Sequence, residues 1–298
     1  MTTYVDKSRY LTLDQGFNQG RPSLPAHIFN LERDEAFLLE GDSLRIPCDM
    51  KSLIGGDVEA TAPLLLASYL RLKPGMPLST KSGATSEIFC AIQGTGVTTW
   101  CDEQIRWQSG DVFLLPGGAR ETHWAEGKEN AVLWQCTNEP QLAFEGTLAP
   151  PTDKSSIRPT HYPRAAMHRA LDEAKKLDMK SGMKSMAIML ASESSKHGTI
   201  TPSLTLALNC VAPGTSQVPH RHNSVAVSLV LEGDSCHSVV DGGMVRWSRF
   251  ATFVTPGGAV HSHHNESLAD ALLLIVQDGG LYYHCRTMGF AIVESPPP

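Results

Sequence analysis

Apolar residues in this chain come in short runs, each closed by glycine, proline or an Asp-containing turn. The runs SEIFCAIQG (86–94) and VAVSLVLEG (225–233) are rich in β-branched and aromatic residues and end at Gly, as strands do. Asp102-Glu103 and Asp241-Gly242-Gly243 mark hairpin turns, and Pro116-Gly117-Gly118 and Pro256-Gly257-Gly258 mark tight turns between strands. Strands of roughly five to eight residues separated by such turns predict an all-β chain of small barrels or sandwiches. One helix interrupts the pattern. After APPTDKSSIRPTHYP (149–163), Pro163 suits a first helical turn, and Met167, Ala170, Leu171, Ala174 and Leu177 form a stripe at helical spacing. Asp172 and Lys176 add an i,i+4 pair in the favourable order.

The strand pattern repeats. IQGTGVTTWCDEQIRWQSGDVFLLPGGARETHW near residue 92 aligns with LEGDSCHSVVDGGMVRWSRFATFVTPGGAVHSHH near 231. Gly94 matches Gly233, Trp107 matches Trp247, and FLLPGG at 113–118 matches FVTPGG at 253–258; upstream, KPGMP at 73–77 matches APGTS at 212–216. Agreement in order and spacing over two long segments reads as one β-domain spelled twice. The expected organisation is an N-terminal arm at 1–60, a first barrel at 61–148, a linker with a helix at 149–195, and a second barrel at 196–298.

Composition narrows the class. Of the 298 residues 41% are hydrophobic and 19% charged, which is ordinary globular composition. The net charge of −6 argues against a nucleic-acid or anionic-membrane surface. No apolar stretch approaches the ~18 residues a membrane helix needs, and the N-terminus lacks a basic segment followed by an apolar run. The seven cysteines are scattered and form no CxxC, so neither a disulfide framework nor a thiolate zinc site is expected; a reducing cytoplasm fits.

The histidines carry the chemistry. Six of the twelve fall between 220 and 264. Alternate side chains on a strand share a face, so His220 and His222 point one way and Arg221 the other. His261 follows the turn at 256–258. Two imidazoles from one strand and one from a neighbouring strand can hold a metal while leaving other positions open, and imidazole suits iron, zinc, copper and nickel alike. His263 shares the parity of His261, whereas His264 is expected to face outward. Asn265 is expected to fix a turn through its side chain.

The spacing Gly214-x5-His220-x-His222, Gly233, Pro256-x-Gly258-x2-His261-x3-Asn265 resembles the two cupin motifs, and the paired copies resemble a bicupin. The resemblance implies two jelly-roll β-barrels in tandem, with a few helices in the arm and linker. Many cupins add a Glu four or five residues after the second His; Ala226 and Val227 stand there. HRHNSVAVSLVLEG with HSHHNE is similar to the gentisate, salicylate and 1-hydroxy-2-naphthoate dioxygenases, which also use His-Arg-His, lack that Glu and carry a His at the position of His263. That resemblance implies an extradiol-type, gentisate-like enzyme: Fe(II) held by His220, His222 and His261, an aromatic hydroxy-acid substrate, and ring opening by O2. Zn, Mn and Ni are the alternative metals. The chain departs from the family in two places. An Arg that clamps the substrate carboxylate is replaced by Ser228, and the histidine set lies in the C-terminal barrel instead of the N-terminal one.

Within this reading His263 is the candidate catalytic residue, as a hydrogen-bond donor to substrate or a general acid–base. Gln217, Ser224, Ser228, His237 and Arg246 are candidates for orienting the substrate. The first copy has Lys81-Ser82-Gly83 at the His220–His222 positions, Glu121 at the His261 position and His123 at the His263 position, and it keeps a carboxylate at Glu87. It is expected to serve as scaffold and interface, without the metal. Two other readings stay open: a three-His metal-dependent hydrolase, lyase or isomerase, and a non-catalytic small-molecule-binding module. A homo-oligomer, dimer or tetramer, is expected in each case.

Overall fold

The computed structural model describes residues 3–17, 23–178 and 185–293. Residues 1–2 and 18–22 of the expected arm, 179–184 of the expected linker and 294–298 at the end of the expected second barrel lie outside the described residues. Four antiparallel sheets form two barrels. In the first, strands Leu44–Pro47, Leu66–Leu72, Ala131–Thr137, Ser86–Gln93, Val112–Pro116 and Thr160–Tyr162 lie side by side. They face a smaller sheet of Leu78–Thr80, Glu121–Glu126, Thr95–Trp100 and Glu103–Gln108. In the second, Ser185–Met189, Thr205–Val211, Ala271–Gln277, Ala226–Glu232, Thr252–Thr255 and His27–Phe29 form the large sheet. The smaller sheet there runs Gly243–Arg246, Cys236–Val240, His261–Asn265, His220–His222 and Phe290–Ile292.

The outermost strands are exchanged between the copies. His27–Phe29, which precedes the first barrel, pairs with Thr252–Thr255 of the second, while Thr160–Tyr162, which precedes the second, pairs with Val112–Pro116 of the first. Part of the expected arm and part of the expected linker are therefore sheet edges. Each exchange covers an edge that would otherwise present unpaired backbone groups.

The two large sheets pack back to back. Alternation along Ser86–Gln93 sends Ile88, Cys90 and Ile92 into the shared core and Phe89 and Ala91 into the first barrel. Along Ala226–Glu232, Val227 and Leu229 go to the shared core and Ala226 and Val230 into the second barrel. The core is pinned by polar contacts across the barrels. Tyr69 Oη lies 2.6 Å from the Phe250 carbonyl and 2.8 Å from Thr252 Oγ1, and Trp134 Nε1 donates to Thr252 Oγ1 at 2.9 Å. Each fully buried large apolar side chain contributes about 1.5–3 kcal/mol, so this shared layer binds the two barrels into one folding unit.

The barrel interiors differ. Phe89 stacks on Phe113 with centroids 4.8 Å apart and fills the first. At the register position of Phe89 the second barrel has Ser228, paired across the sheet with Phe253 and Ile275. A phenyl ring is thus replaced by a hydroxymethyl group inside the barrel that carries the histidines.

The predicted helix spans Arg164–Asp178. Met167 and Leu171 are buried, but Ala170 and Leu177 are exposed, so the buried stripe is narrower than the sequence suggests. Lys175, one residue away from the expected pair, bonds Asp270 at 2.6 Å. The seven cysteines are free, with Cys101 and Cys285 exposed.

Candidate metal centre

His220 and His222 sit on a three-residue strand, and His261 begins the neighbouring strand directly opposite His220. Two backbone features hold that register. Gly258 N–H donates to the His222 carbonyl at 2.7 Å, and a side chain at Gly257 would place Cβ 2.7 Å from the Asn223 carbonyl. The Pro-Gly-Gly turn can therefore lie flat against the loop that follows His222 only because Gly257 lacks a Cβ.

One nitrogen from each of His220, His222 and His261 lies within 4.8 Å of the others, and among the described residues this is the only such group of three. The rings of His220 and His222 stand 4.3 Å and 4.7 Å from His261. The tautomers follow from the partners. His220 Nδ1 lies 2.9 Å from the Val218 carbonyl, His222 Nδ1 2.9 Å from the Ser224 carbonyl, and His261 Nδ1 3.0 Å from the Ala259 carbonyl. A carbonyl oxygen only accepts, so each Nδ1 carries the proton and each Nε2 keeps its lone pair. Burial, followed by the neighbouring imidazoles, holds His261 down at about 4, and burial likewise lowers His222. In their neutral form the three imidazoles, with oriented lone pairs and backbone partners, fit a divalent transition ion.

Ser224 Oγ lies 3.1 Å from His222 Nδ1 and donates to Gln277 Oε1 at 3.2 Å. Ser224 is thus a support of His222. Gln277 Nε2 reaches 3.3 Å from His222 Nε2. Ser228 is buried in the barrel with the parity of Ala226 and Val230. Gln217 donates through its backbone to the His263 carbonyl and through its side chain to Asn209 Oδ1, at 2.9 and 3.3 Å. Its Oε1 is buried without a hydrogen-bond partner. His263 is buried, with its ring 5.8 Å from that of His261, and desolvation pushes its pKa well below the usual imidazole value.

Two expected substrate residues are not brought to this site. His237 stands opposite His264, and the two rings stack at 4.6 Å with planes 4° apart. Neighbouring Ser238 is opposite His263 and bonds it, so His237 points to the outer face. Arg246 pairs with His237 across the next strand and shares its face, exposed. The corrected assignment follows from strand parity: the turn after Gly233 resets the phase, and only the cross-strand register reveals it. His264 faces outward on Ser216 and Ser262, and Asn265 ties Val211, Ser267 and Ala269 through its side chain. Gln277, Asn209 and Ser238 are not singled out in the sequence, because each is a polar residue in a strand of otherwise ordinary composition; Trp247 is visible there only as the repeat partner of Trp107.

The first barrel has no counterpart of the triad among its described residues. Lys81 is exposed. Glu87 and Glu121 are buried; Gln135 Nε2 donates to Glu87 Oε2 and Thr80 Oγ1 to Glu121 Oε1, each at 2.6 Å. Burial raises both carboxyls, and Glu121 raises Glu87 further.

Residues 207–277 match the cupin domain family. A gentisate 1,2-dioxygenase from Ralstonia sp. is 25% identical over 146 residues, 48% of this chain and 41% of that protein. A 5-nitrosalicylic acid 1,2-dioxygenase from Bradyrhizobium sp. is 28% identical over 89 residues, 30% of this chain and 42% of that protein. The matched segments thus span less than half the length of these relatives. A salicylate 1,2-dioxygenase from Pseudoaminobacter salicylatoxidans, solved as adducts with gentisate, superposes with a TM-score of 0.75 at 16% identity, over 95% of this chain and 89% of that one. No helix among the described residues is long and apolar enough to cross a membrane.

Proposed function

We propose that this chain, two cupin barrels in tandem, is a non-haem Fe(II) dioxygenase that opens the ring of a hydroxylated aromatic acid in its C-terminal barrel. The observation that carries the reading is the carboxylate-free set His220, His222 and His261, whose Nδ1–H groups are all spent on backbone carbonyls. Iron held by the three Nε2 atoms would supply a redox centre with open coordination positions for a chelating substrate and O2. The names of the relatives support the reaction class. "Extradiol" is an imprecise label for it, since gentisate and the salicylates carry no pair of adjacent ring hydroxyls.

The chain's own residues account for what remains. Neutral ligands would leave the full charge of a dication in the barrel, which would favour an anionic substrate. Ser228 leaves room for an aromatic ring where the first barrel is filled by Phe89. Without an Arg at that position, the substrate carboxylate would be held by the dication's field and by side-chain amide N–H donors such as those of Gln217 and Asn209. Ser224 keeps His222 aimed, and the buried surroundings exclude water from the reacting centre.

The test is metal analysis of anaerobically purified protein, followed by oxygen uptake on a panel of gentisate and substituted salicylates. Iron with stoichiometric oxygen consumption is the expected result. Stoichiometric zinc with no oxygen consumed would overturn the reading in favour of a metal-dependent hydrolase, lyase or isomerase, and metal binding without turnover would favour a binding module.

A further inference from the structure

His263 belongs to a buried hydrogen-bonded chain that runs away from the triad. Trp247 Nε1 donates to Ser238 Oγ at 2.9 Å, and Ser238 Oγ lies 2.8 Å from His263 Nδ1. All three side chains are buried. Gly233 makes room for the arrangement: a Cβ there would come within 2.7 Å of the Trp247 ring. An indole N–H is always a donor, so it occupies a lone pair of the serine. The serine hydroxyl has one proton, and among the described residues Trp247 and His263 are its only side-chain partners. The proton therefore goes to His263 Nδ1. Were the ring to donate from Nδ1, the hydroxyl proton would be left buried without an acceptor.

The first barrel contains the same chain, and there the partners at the other end of the ring point the same way. Trp107 Nε1 donates to Thr98 Oγ1 at 3.0 Å, and Thr98 Oγ1 lies 2.9 Å from His123 Nδ1. His123 Nε2 is 3.2 Å from Thr80 Oγ1, which gives its own proton to Glu121 at 2.6 Å. Thr80 must accept from Nε2–H, so Nδ1 is the bare nitrogen. In the second barrel Pro219 stands at the position of Thr80, and no side chain among the described residues takes up the Nε2–H of His263.

We infer that Ser238 and Trp247 are positioning residues that lock His263 in the tautomer opposite to that of His220, His222 and His261. The three ligands face the site with Nε2 lone pairs. His263 faces it with Nε2–H, an obligate donor that cannot ligate through that nitrogen and cannot take up a proton there as a base. Its acceptor is an oxygen atom of whatever binds beside the triad; that this is an aromatic acid or O2 rests on the proposed function.

The experiment is long-range 15N NMR of the imidazoles in the full chain, metal-free and loaded with zinc, with His263 assigned by His263→Gln. The expected spectrum has protonated Nε2 and bare Nδ1 for His263 and the reverse for the other three. Ser238→Ala should lose the single tautomer, and Ser238→Thr should restore it, because Thr98 performs the same task in the first barrel. In the iron-loaded protein Ser238→Ala should lower kcat about tenfold or more with KM and metal content unchanged, again rescued by Thr. A protonated Nδ1 on His263, or a tautomer unchanged by Ser238→Ala, would overturn the inference. The NMR result stands whether or not any dioxygenase activity is found, so the two readings fail separately.

Discussion

The side-chain nitrogen of Gln277 lies 3.3 Å from His222 Nε2, on the lone pair that a metal would take. The amide is held there by Ser224 Oγ, which donates to its Oε1. Metal binding must therefore displace one hydrogen bond, worth about 0.5–1.5 kcal/mol net. Gln277→Leu removes the competitor, and its metal affinity is expected to rise a few-fold, up to about tenfold. Competition with a chromophoric chelator measures this; an affinity that falls would mean that Gln277 helps to hold the metal.

His220→Ala and His261→Ala are expected to lose metal and turnover together, with metal content down about tenfold or more, because two imidazoles cannot replace three. Glu121→Ala, at the position of His261 in the other barrel, should leave metal content unchanged. Elemental analysis of the three purified variants decides, and metal lost from Glu121→Ala would assign the first barrel a share in binding.

Ser228→Phe rebuilds in the second barrel the aromatic pair that Phe89 and Phe113 form in the first. It should cost about 1–3 kcal/mol in stability. Metal should be retained, while KM for an aromatic acid rises about tenfold or more. Arg246→Ala, on the exposed outer face, serves as the comparison and should leave KM within about twofold. Steady-state oxygen uptake measures both, and a large KM effect at Arg246 would contradict its outward placement.

Asp278 is buried, accepts the Val225 N–H at 2.9 Å, and is pushed up to about 6 by desolvation. Its folded value lies above the unfolded value of 3.8. The folded chain thus keeps a proton that the unfolded chain has released, and this contribution to stability is lost as pH rises from about 4 through 6. The first barrel has Asn138 at the corresponding place, accepting Thr85 and Ser86 N–H groups with its Oδ1. Asp278→Asn should keep the bond to Val225 and raise stability at pH 7 by about 1–3 kcal/mol, with little gain at pH 4. Urea unfolding at the two pH values measures it; an equal gain at both would remove the titration as its cause.

The sequence by itself determined the β-repeat and singled out His220, His222 and His261 as the proposed ligands. Turn glycines, the His220-x-His222 parity and the recurring Pro-Gly-Gly turn before His261 are local features, and the two-residue strand period carries them without knowledge of the partners. Parity also carried as far as Ser228: the bend at Asn223–Ser224, where the chain passes from the small sheet to the large one, leaves Ser228 on the barrel side. It failed at His237 and Arg246, where the turn after Gly233 restarts the phase and only pairing with His261–Asn265 sets it. The narrow face of the linker helix was equally out of reach, since which of Ala170, Leu171 and Leu177 is covered depends on the sheet beneath. Only the tertiary structure decided the polar shell. Gln277 is 55 positions from His222, and Trp247 and Ser238 reach His263 across two strands. Hydrogen bonds between distant strands leave no period in the chain. The protons they assign, which separate the three proposed ligands from the one proposed donor among four nearby histidines, depend on which oxygen each ring nitrogen meets.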